Sequence, residues 1–407
     1  MLPRLLAGPP LATGAESLAD HHRRLGPLPP TGDGRALIQA LDDSGLLGRG
    51  GAGFPVARKW STLAARAVDR AFVLANGAEG EPLSAKDRIL MATRPHLVLD
   101  GAQLAAGAIG AEHIVLYVGS EHRAARAAIE TAIGERSDPR AVPVSLVSAP
   151  PTYVAGEESA AIHYLNEADA RPTGSSPRPF ERGIAGDPTL VQNVETLAHT
   201  ALIARHGAAW YRELGGAVRG TALVTVGGVA RPGVTEIAIG TPVRELAERT
   251  GAPAGARAVL LGGYFGGWLS TREAWDLPLD PATLRTAGSA FGCGVVAFIG
   301  PTSCGVGATA RIMDFMAGQS AAQCGPCVFG LRAIADATAR LAAGSARADD
   351  HERLTRWSTQ LAGRGACRHP DGAVGLLQSA LRVFAAEFVD HQRTRTCPID
   401  RDRRRVA

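Results

Sequence analysis

The alternation of strand-like and helix-like segments over residues 46–215 is the feature that most restricts how this chain can fold. Short apolar runs occur at residues 71–75, 113–118 and 142–147, and helical patterns such as residues 124–132 lie between them. Strands that alternate with helices favour a layered α/β fold with a parallel sheet, because parallel neighbours need long crossover connections. We therefore predict an α/β domain over this stretch.

The rest of the 407-residue chain is expected to add three parts. Residues 1–45 are polar and Pro-rich and form an N-terminal segment. Residues 216–290 contain two strand patterns and a helix that Thr241 caps, with Pro242 at its first position, which suggests a small β-grasp domain. Residues 291–407 are helical in pattern and contain all six cysteines. The predicted fold class is α/β, followed by a β-grasp domain and a C-terminal helical bundle.

Charge and hydropathy exclude several classes of function. The net charge is only +4 and the charges are interspersed, so no basic stripe for a nucleic acid is present. No apolar run reaches the roughly 18 residues that a membrane span needs. Residues 1–14 are too short and too rich in Pro for a good signal peptide, and we expect a cytoplasmic location, peripheral to a membrane at most through partners.

Two scarce residue types indicate a functional site. Among the 43 Lys and Arg residues only Lys59 and Lys86 are lysine, and only three residues are Asn. A lysine retained in so Arg-rich a chain suggests a need for a compact point donor rather than a planar guanidinium. Both lysines lie in glycine-marked segments, and Asn76 and Asn193 also fall in candidate motifs. These residues are therefore predicted to belong to one site.

The first two motifs are glycine-marked. Clustered glycines at residues 48–54 let backbone N–H groups approach a phosphate or a ring, although such turns are common. No clear strand precedes them, so they are not a Rossmann fingerprint. Residues 76–88 combine carboxylates with Asn and Lys, side chains that can hydrogen-bond to the rim of a flavin ring or to a ribose. The alternative interpretation is a solvated loop.

Two further polar motifs are weaker when taken alone. Residues 153–160 hold the adjacent carboxylates Glu157 and Glu158, whose burial would need donors such as a helix N-terminus. An ordinary acidic first helical turn explains this motif better. A helix start likewise explains residues 192–196.

The cysteines point to metal or redox chemistry. Cys324 and Cys327 form a Cys-x-x-Cys pair, and Cys367 follows forty residues later. Zinc, a redox dithiol and an iron–sulfur cluster all fit such a pair. Cys293 and Cys304 are expected to be buried small hydrophobes.

Taken together and in this order, the segments resemble the family of NADH-binding 51 kDa flavin subunits of respiratory complex I, from about residue 44 to residue 381. The same module occurs in NAD-linked formate dehydrogenases and bidirectional hydrogenases. The resemblance implies FMN, NAD(H) and an iron–sulfur cluster as cofactors, an SLBB-like β-grasp domain, and an iron–sulfur or ferredoxin-like partner. It implies FMN contacts from Gly48, Arg49, Gly50, Gly51, Gly53, Lys59, Asn76, Glu79, Tyr153, Gly156, Asn193 and Thr196.

The same resemblance implies the remaining roles. Phe54, Glu81 and Phe180 would contact NADH. Glu157 and Glu158 would orient the nicotinamide and shape the local field as catalytic residues, since hydride transfer to a flavin needs no general base. The implied cluster ligands are Cys324, Cys327 and Cys367.

Two positions depart from the family pattern. Ala321 stands where the first cluster cysteine is expected, and Ala78 stands where the flavin loop has Asp. Three thiolates could hold a 4Fe–4S cluster with an outside ligand or a 3Fe–4S cluster, Cys397 could supply the fourth, or the cluster is lost. The main hypothesis is an NADH dehydrogenase subunit that passes single electrons to a partner. The alternatives are a cluster-free, FMN-dependent NADH reductase and a non-catalytic scaffold.

Overall fold

The structure is a computed structural model that describes residues 1–397, except residues 31, 33, 67–69 and 175, together with residue 399. The chain forms two compact units. The first is Met1–Thr225 with Gly233–Thr241, and the second is Val226–Pro232 with Pro242–Ala407. The finer four-part division expected from the sequence stays a prediction.

A four-stranded parallel sheet forms the centre of the first unit, as the alternating pattern predicted. Its order is β3-β2-β1-β4, and β1 pairs in parallel with both β2 and β4. The strands are β1 (Phe72–Gly77), β2 (His113–Gly119), β3 (Val144–Ala149) and β4 (Thr189–Asn193).

The sheet is covered on both faces, which explains why its strands read as apolar runs instead of alternating patterns. Alternate residues enter two separate cores. Val73 and Ile114 pack in the larger core, whereas Leu74, Val115 and Tyr117 pack in the smaller one.

Eight α-helices, one further strand and most of another belong to the described part of the first unit. Helix α5 approaches α8 so closely that a Cβ on Gly101 would lie 1.9 Å from the carbonyl oxygen of Leu197, so only glycine fits there. The helices are α1 (Leu18–Leu25), α2 (Arg35–Ser44), α3 (Val56–Ala64), α4 (Lys86–Thr93), α5 (Pro95–Ile109), α6 (Arg123–Gly134), α7 (Glu158–Glu167) and α8 (Val194–Arg212). The strands β5 (Thr221–Gly227) and β6 (Gly233–Ala238) are neighbours.

The second unit begins with helix α9 (Val243–Thr250) and an antiparallel set of strands. Helix α9 starts one residue later than expected: Pro242, not Thr241, occupies its N-cap position, and Gly251 ends it in the left-handed region. Strand β7 (Ala258–Leu261) lies between β8 (Gly267–Ser270) and β9 (Val295–Ile299) and is antiparallel to both.

The remainder of the second unit is helical, as predicted. Two short helices, α10 (Thr271–Ala274) and α11 (Pro281–Thr286), come before five longer ones. The longer helices are α12 (Gly305–Gly318), α13 (Arg332–Ala342), α14 (Asp350–Leu361), α15 (His369–Val383) and α16 (Ala385–Thr394). Among the described residues no single helix has the length and apolar character to cross a membrane; α15 and α16, which are bent by 82°, meet both requirements only when they are counted together.

Candidate functional site

The polar motifs of the first unit meet at the carboxyl edge of its parallel sheet. Asn76 on β1 is the register partner of Asn193 on β4, although 117 residues separate them along the chain. Strands β2 and β4 lie on opposite sides of β1, so the chain leaves the sheet in two directions here. In open parallel sheets the ligand crevice forms outside the carboxyl ends of the strands at such a switch point.

The two asparagines hold the loops of this edge in place. The Asn76 amide accepts from Ala78 N at 3.1 Å and donates to the Gly156 carbonyl at 2.8 Å. Asn193 accepts from Glu195 N at 3.0 Å and donates to Asp87 Oδ2 at 2.8 Å. Each position therefore uses a donor and an acceptor at once, which an amide side chain provides.

The glycine loop at residues 48–54 closes on itself and contacts the start of α8. Gly48 N donates to the Phe54 carbonyl at 2.9 Å, and Arg49 N donates to Thr196 Oγ1 at 2.9 Å. Gly51 and Gly53 have φ values of 109° and 62°, and no atom lies within 4 Å of a Cβ added at either. The open space beside these two glycines leaves room for a group such as the FMN phosphate or ring to approach the backbone.

The side chain of Arg49 serves the fold. Its guanidinium donates to the Tyr211 hydroxyl at 2.9 Å and to the Thr221 carbonyl at 3.0 Å, and the residue is buried. A contact between Arg49 and the cofactor stays a prediction. Because the guanidinium is bound within the protein, the backbone of Arg49 is the part that would make this contact.

The third motif provides one helix cap and one carboxylate that faces Lys59. Glu157 Oε2 accepts from the backbone N–H groups of Ser159 and Ala160, both at 3.0 Å, and so caps α7. The helix-start explanation therefore describes Glu157. Glu158 Oε2 lies 3.1 Å from Lys59 Nζ, and this pair joins the first and third motifs.

The two glutamates of the second motif, Glu79 and Glu81, are buried and accept hydrogen bonds from the protein. Glu79 accepts from Ser84 Oγ at 2.5 Å and from two backbone N–H groups at the start of α4, both at 3.2 Å. Glu81 Oε2 accepts from the Tyr153 hydroxyl at 3.2 Å. Glycine is required where these loops cross, since a Cβ on Gly156 would lie 2.7 Å from the Ala78 carbonyl oxygen.

A buried ion network beside this edge was not among the predicted site residues. Lys86 Nζ lies 2.8 Å from both Asp87 Oδ1 and Glu195 Oε2 and is almost completely buried. Burial alone would lower the pKa of Lys86, but the two carboxylates outweigh it and raise that pKa. Burial, with Glu79 and Glu195 nearby, raises the pKa of Asp87 to about 7. The scarcity of lysine was the one sequence signal that pointed to this network.

The two aromatic residues predicted to contact NADH differ in exposure. Phe54 is 48% exposed, and the Arg58 guanidinium lies 5.9 Å from its ring centroid. Phe180 is half-buried against the larger core, with Arg66 at 5.9 Å from its ring. Their contacts to NADH stay predictions.

Three thiols gather in the second unit. Cys327 N donates to the Cys324 carbonyl at 3.0 Å, and Cys327 is the second residue of a π-helical turn at Pro326–Leu331. Burial, with the Cys324 and Cys367 thiols close by, raises the pKa of Cys327 to about 12. A low-dielectric group of soft sulfur donors fits an iron–sulfur cluster, whose own positive charge favours the thiolates. Ala321 offers no donor atom, so Cys324, Cys327 and Cys367 stay the three predicted ligands.

The other three cysteines lie elsewhere in this unit. Cys293 and Cys304 are only partly buried and make polar contacts, so the expectation of two buried hydrophobes is wrong. Cys293 Sγ donates to the Gly262 carbonyl at 3.3 Å. Cys304 and Cys397 lie together with His391, which gives Cys397 neighbours other than the three cluster cysteines.

Comparisons with known proteins agree with this geometry. Residues 41–201 match the Nuo51 FMN-binding domain, and residues 307–391 match the NADH-ubiquinone oxidoreductase-F iron–sulfur binding region. The F 2 subunit of the NADH-quinone oxidoreductase of Rhizobium meliloti (strain 1021) is 34% identical over 379 residues, which cover 89% of this chain and 90% of that protein. The corresponding F subunit of Mycobacterium bovis is 32% identical over 392 residues, with coverages of 89% and 86%.

A solved structure shows the same fold. The air-oxidised NAD+-reducing NiFe hydrogenase contains a chain that is 32% identical, with a TM-score of 0.81; the match covers 95% of this chain and 67% of that one. The edge of the sheet, the glycine loop and the three thiols thus lie within the segments that the two family models match. The chain belongs to the family of NADH-quinone oxidoreductase F subunits and carries its FMN-binding domain and its iron–sulfur-binding region.

Proposed function

We propose that this chain oxidises NADH by hydride transfer to FMN and passes the electrons singly, through an iron–sulfur cluster, to a partner redox protein. The observation that carries the proposal is the convergence of four separated motifs at one edge of the parallel sheet. Asn76 and Asn193 are register partners there, Arg49 N binds Thr196, and Lys59 pairs with Glu158.

The residues of this edge would hold and align the two rings. FMN, when bound, accepts two electrons as a hydride and releases them one at a time, which an iron–sulfur centre requires. The open backbone at Gly51 and Gly53 would take the phosphate or the ring, and Lys59 would supply a point charge. Glu158, which pairs with Lys59, is the carboxylate that would orient the nicotinamide, because Glu157 caps a helix.

The partner is proposed to be an iron–sulfur or ferredoxin-like protein. Val328 and Phe329 directly follow Cys327 and are 42% and 75% exposed, so an apolar surface adjoins the proposed cluster. Docking there would bring the next redox centre close to the electron donor. We place the chain in the cytoplasm, with any membrane attachment made through partners. The predicted domain boundaries after residues 45, 215 and 290 belong to this proposal.

A second function rests on Ala321. If three thiols do not retain a cluster, the same edge of the parallel sheet would still bind FMN and NADH. The protein would then be an FMN-dependent NADH reductase that delivers electrons to a soluble acceptor. The two functions share the flavin site and differ only in iron content and in the acceptors that the reduced protein can use.

A matched pair of glycine variants tests the flavin site. Gly53 and Gly45 have φ values of 62° and 68°, and neither has an atom within 4 Å of an added Cβ, so alanine strains both backbones alike. We expect Gly53→Ala to weaken FMN binding at least about 10-fold, equivalent to about 1.4 kcal/mol. Gly45→Ala should retain FMN and NADH–ferricyanide activity with a similar melting temperature. Equal FMN loss in both variants would contradict the proposed site.

A further inference from the structure

A second group of metal-ligating side chains lies in the second unit, apart from the three cysteines assigned to the cluster. The ligand atoms of Cys304, His391 and Cys397 all lie within 4.8 Å of one another. Cys304 precedes α12, His391 lies near the end of α16, and Cys397 follows that helix. Residues from distant points of the sequence therefore converge on one place.

The histidine is oriented as a metal ligand. His391 is buried, and its Nδ1 lies 2.9 Å from the Leu341 carbonyl oxygen, an acceptor that fixes the proton on Nδ1. The unprotonated Nε2 then faces Cys304 Sγ at 3.4 Å. Metal-bound histidines usually have this arrangement, in which the other ring nitrogen donates to a carbonyl or a carboxylate.

The first thiol is held at the start of a helix. Cys304 is the N-cap of α12, a helix of 14 residues, and its sulfur accepts from Gly307 N at 3.3 Å. The start of α12 therefore fixes the position of this sulfur. The nearby carboxylate of Glu387 is already engaged, with Oε1 on Arg257 at 2.6 Å and Oε2 on Gly305 N at 2.8 Å.

The spacing matches tetrahedral zinc. Zn–S and Zn–N distances of about 2.3 and 2.0 Å place neighbouring ligand atoms roughly 3.5 to 3.8 Å apart. The observed 3.4 Å between Cys304 Sγ and His391 Nε2 is close to that value without any movement of the backbone. Two sulfurs and one imidazole nitrogen are also a donor set that zinc prefers to magnesium or calcium.

We propose that Cys304, His391 and Cys397 bind one zinc ion, which fastens the end of the helical region to the start of α12. Binding releases the protons that the two thiols carry, and the neutral imidazole contributes its free Nε2. The three described ligands leave a fourth position, which water or an added ligand fills. The role is structural and separate from electron transfer.

Metal titration of the full-length protein tests this site. The protein is purified anaerobically, stripped with a chelator under reducing conditions, and titrated with Co²⁺ and then Zn²⁺. Because the chelator also empties the predicted cluster cysteines, the titration is run on Cys327→Ser, in which we expect one ion per chain and the visible absorption of tetrahedral thiolate-bound cobalt. Cys304→Ser and Cys397→Ser should each lower the affinity at least about 100-fold, since even outer-shell changes cost about 10–100-fold. Cys293→Ser, the matched control, should bind like the parent.

Two further variants keep the test decisive. Cys397 lies after α16, so Cys397→Ser remains informative if Cys304→Ser, which changes the N-cap residue of α12, unfolds the protein. Cys327→Ser should lose iron but keep zinc, which separates this site from the cluster. The proposal is overturned if no thiolate-bound cobalt spectrum appears, if Cys397→Ser binds zinc as the parent does, or if the anaerobically isolated chain holds a Cys304–Cys397 disulfide.

Discussion

Two regions follow the family pattern to different degrees. One is the carboxyl edge of the parallel sheet in the first unit, which we call the flavin edge, and the other is the cysteine region of the second unit, residues 321–367. At the flavin edge Asn76, Asn193, Glu79, Glu81 and Glu157 all have protein partners, and the departure, Ala78, leaves the loop hydrogen-bonded to Asn76. In the cysteine region the departure falls on a predicted ligand position, which is Ala321.

The difference follows from what fixes each site in place. Sheet register and helix caps position the flavin residues, so that edge is formed by the folded chain itself. The predicted cluster cysteines would be held together by the metal that they bind, because adjacent thiols gain little from one another. We therefore expect substitutions in the buried part of the first region to change stability, and substitutions among the cysteines to change metal content.

The largest expected effect is at the buried network of the first unit. Glu195→Gln keeps the contact with Leu223 N but leaves Lys86 with one carboxylate fewer, and breaking a buried ion pair costs about 3–5 kcal/mol. Urea unfolding measures this loss. The control is Glu112→Gln, which removes the exposed pair with Arg70 and should cost less than about 1 kcal/mol. Equal effects would show that the network contributes little.

The same network predicts a pH dependence. Burial opposes ionisation of Glu195, yet Lys86, with His199 and Arg49 nearby, lowers its pKa to about 2 from an ordinary 4.5. Its stabilising contribution is therefore complete above pH 4.5 and is lost as the pH falls towards 2. The difference in unfolding free energy between the parent and Glu195→Gln should shrink across that window. A constant difference would mean that Glu195 is not ionised in the folded protein.

Restoring the missing cysteine probes the second region. Ala321→Cys places a fourth thiol at the family position, and we expect iron loss to a chelator to slow at least about 10-fold, by comparison with outer-shell effects of about 10–100-fold. Gln323→Cys, an exposed neighbour, is the control and should change little. Unchanged iron loss in Ala321→Cys would indicate that residue 321 does not face the cluster.

The smallest effect on stability is expected at Lys59. Its pair with Glu158 is partly exposed, so Lys59→Gln should change the unfolding free energy by less than about 1 kcal/mol. Binding of FMN should nevertheless weaken about 10–100-fold, because a charge-assisted hydrogen bond is worth about 1.5–3 kcal/mol. Lys59→Arg should weaken it too. Full FMN affinity in Lys59→Arg would contradict the inference drawn from the scarcity of lysine.

The sequence predicted the layers of the fold and the members of the flavin edge, but not how the edge is assembled. Apolar runs and helical spacing are local signals, and they located β1, β2 and β3 to within about two residues, whereas β4 was not predicted. Parallel pairing is non-local, so the register that sets Asn76 against Asn193 could not be read from either segment. Glu157 shows the opposite case. Its local sequence pattern indicated the start of a helix, and the residue is the N-cap of α7 in the structure.

The buried network and the second thiol group lay beyond sequence reasoning for a related reason. Lys86 and Glu195 come from segments more than a hundred residues apart, and burial of both charges is tolerable only when they meet. Cys304 was expected to be a buried hydrophobe because its neighbours along the chain suggested nothing else. Its partner His391 comes from the opposite end of the helical region.

The most direct test of the electron-relay function combines electron paramagnetic resonance with iron and FMN quantification on one anaerobically purified, dithionite-reduced sample. We predict one FMN and roughly three or four iron atoms per chain, the content of a 3Fe–4S or 4Fe–4S cluster. A 4Fe–4S cluster gives its signal in the reduced sample, and a 3Fe–4S cluster gives its signal in the same sample before reduction. FMN without iron or a cluster signal would contradict the relay, and the chain would then be a cluster-free NADH reductase with Ala321 as its deciding residue.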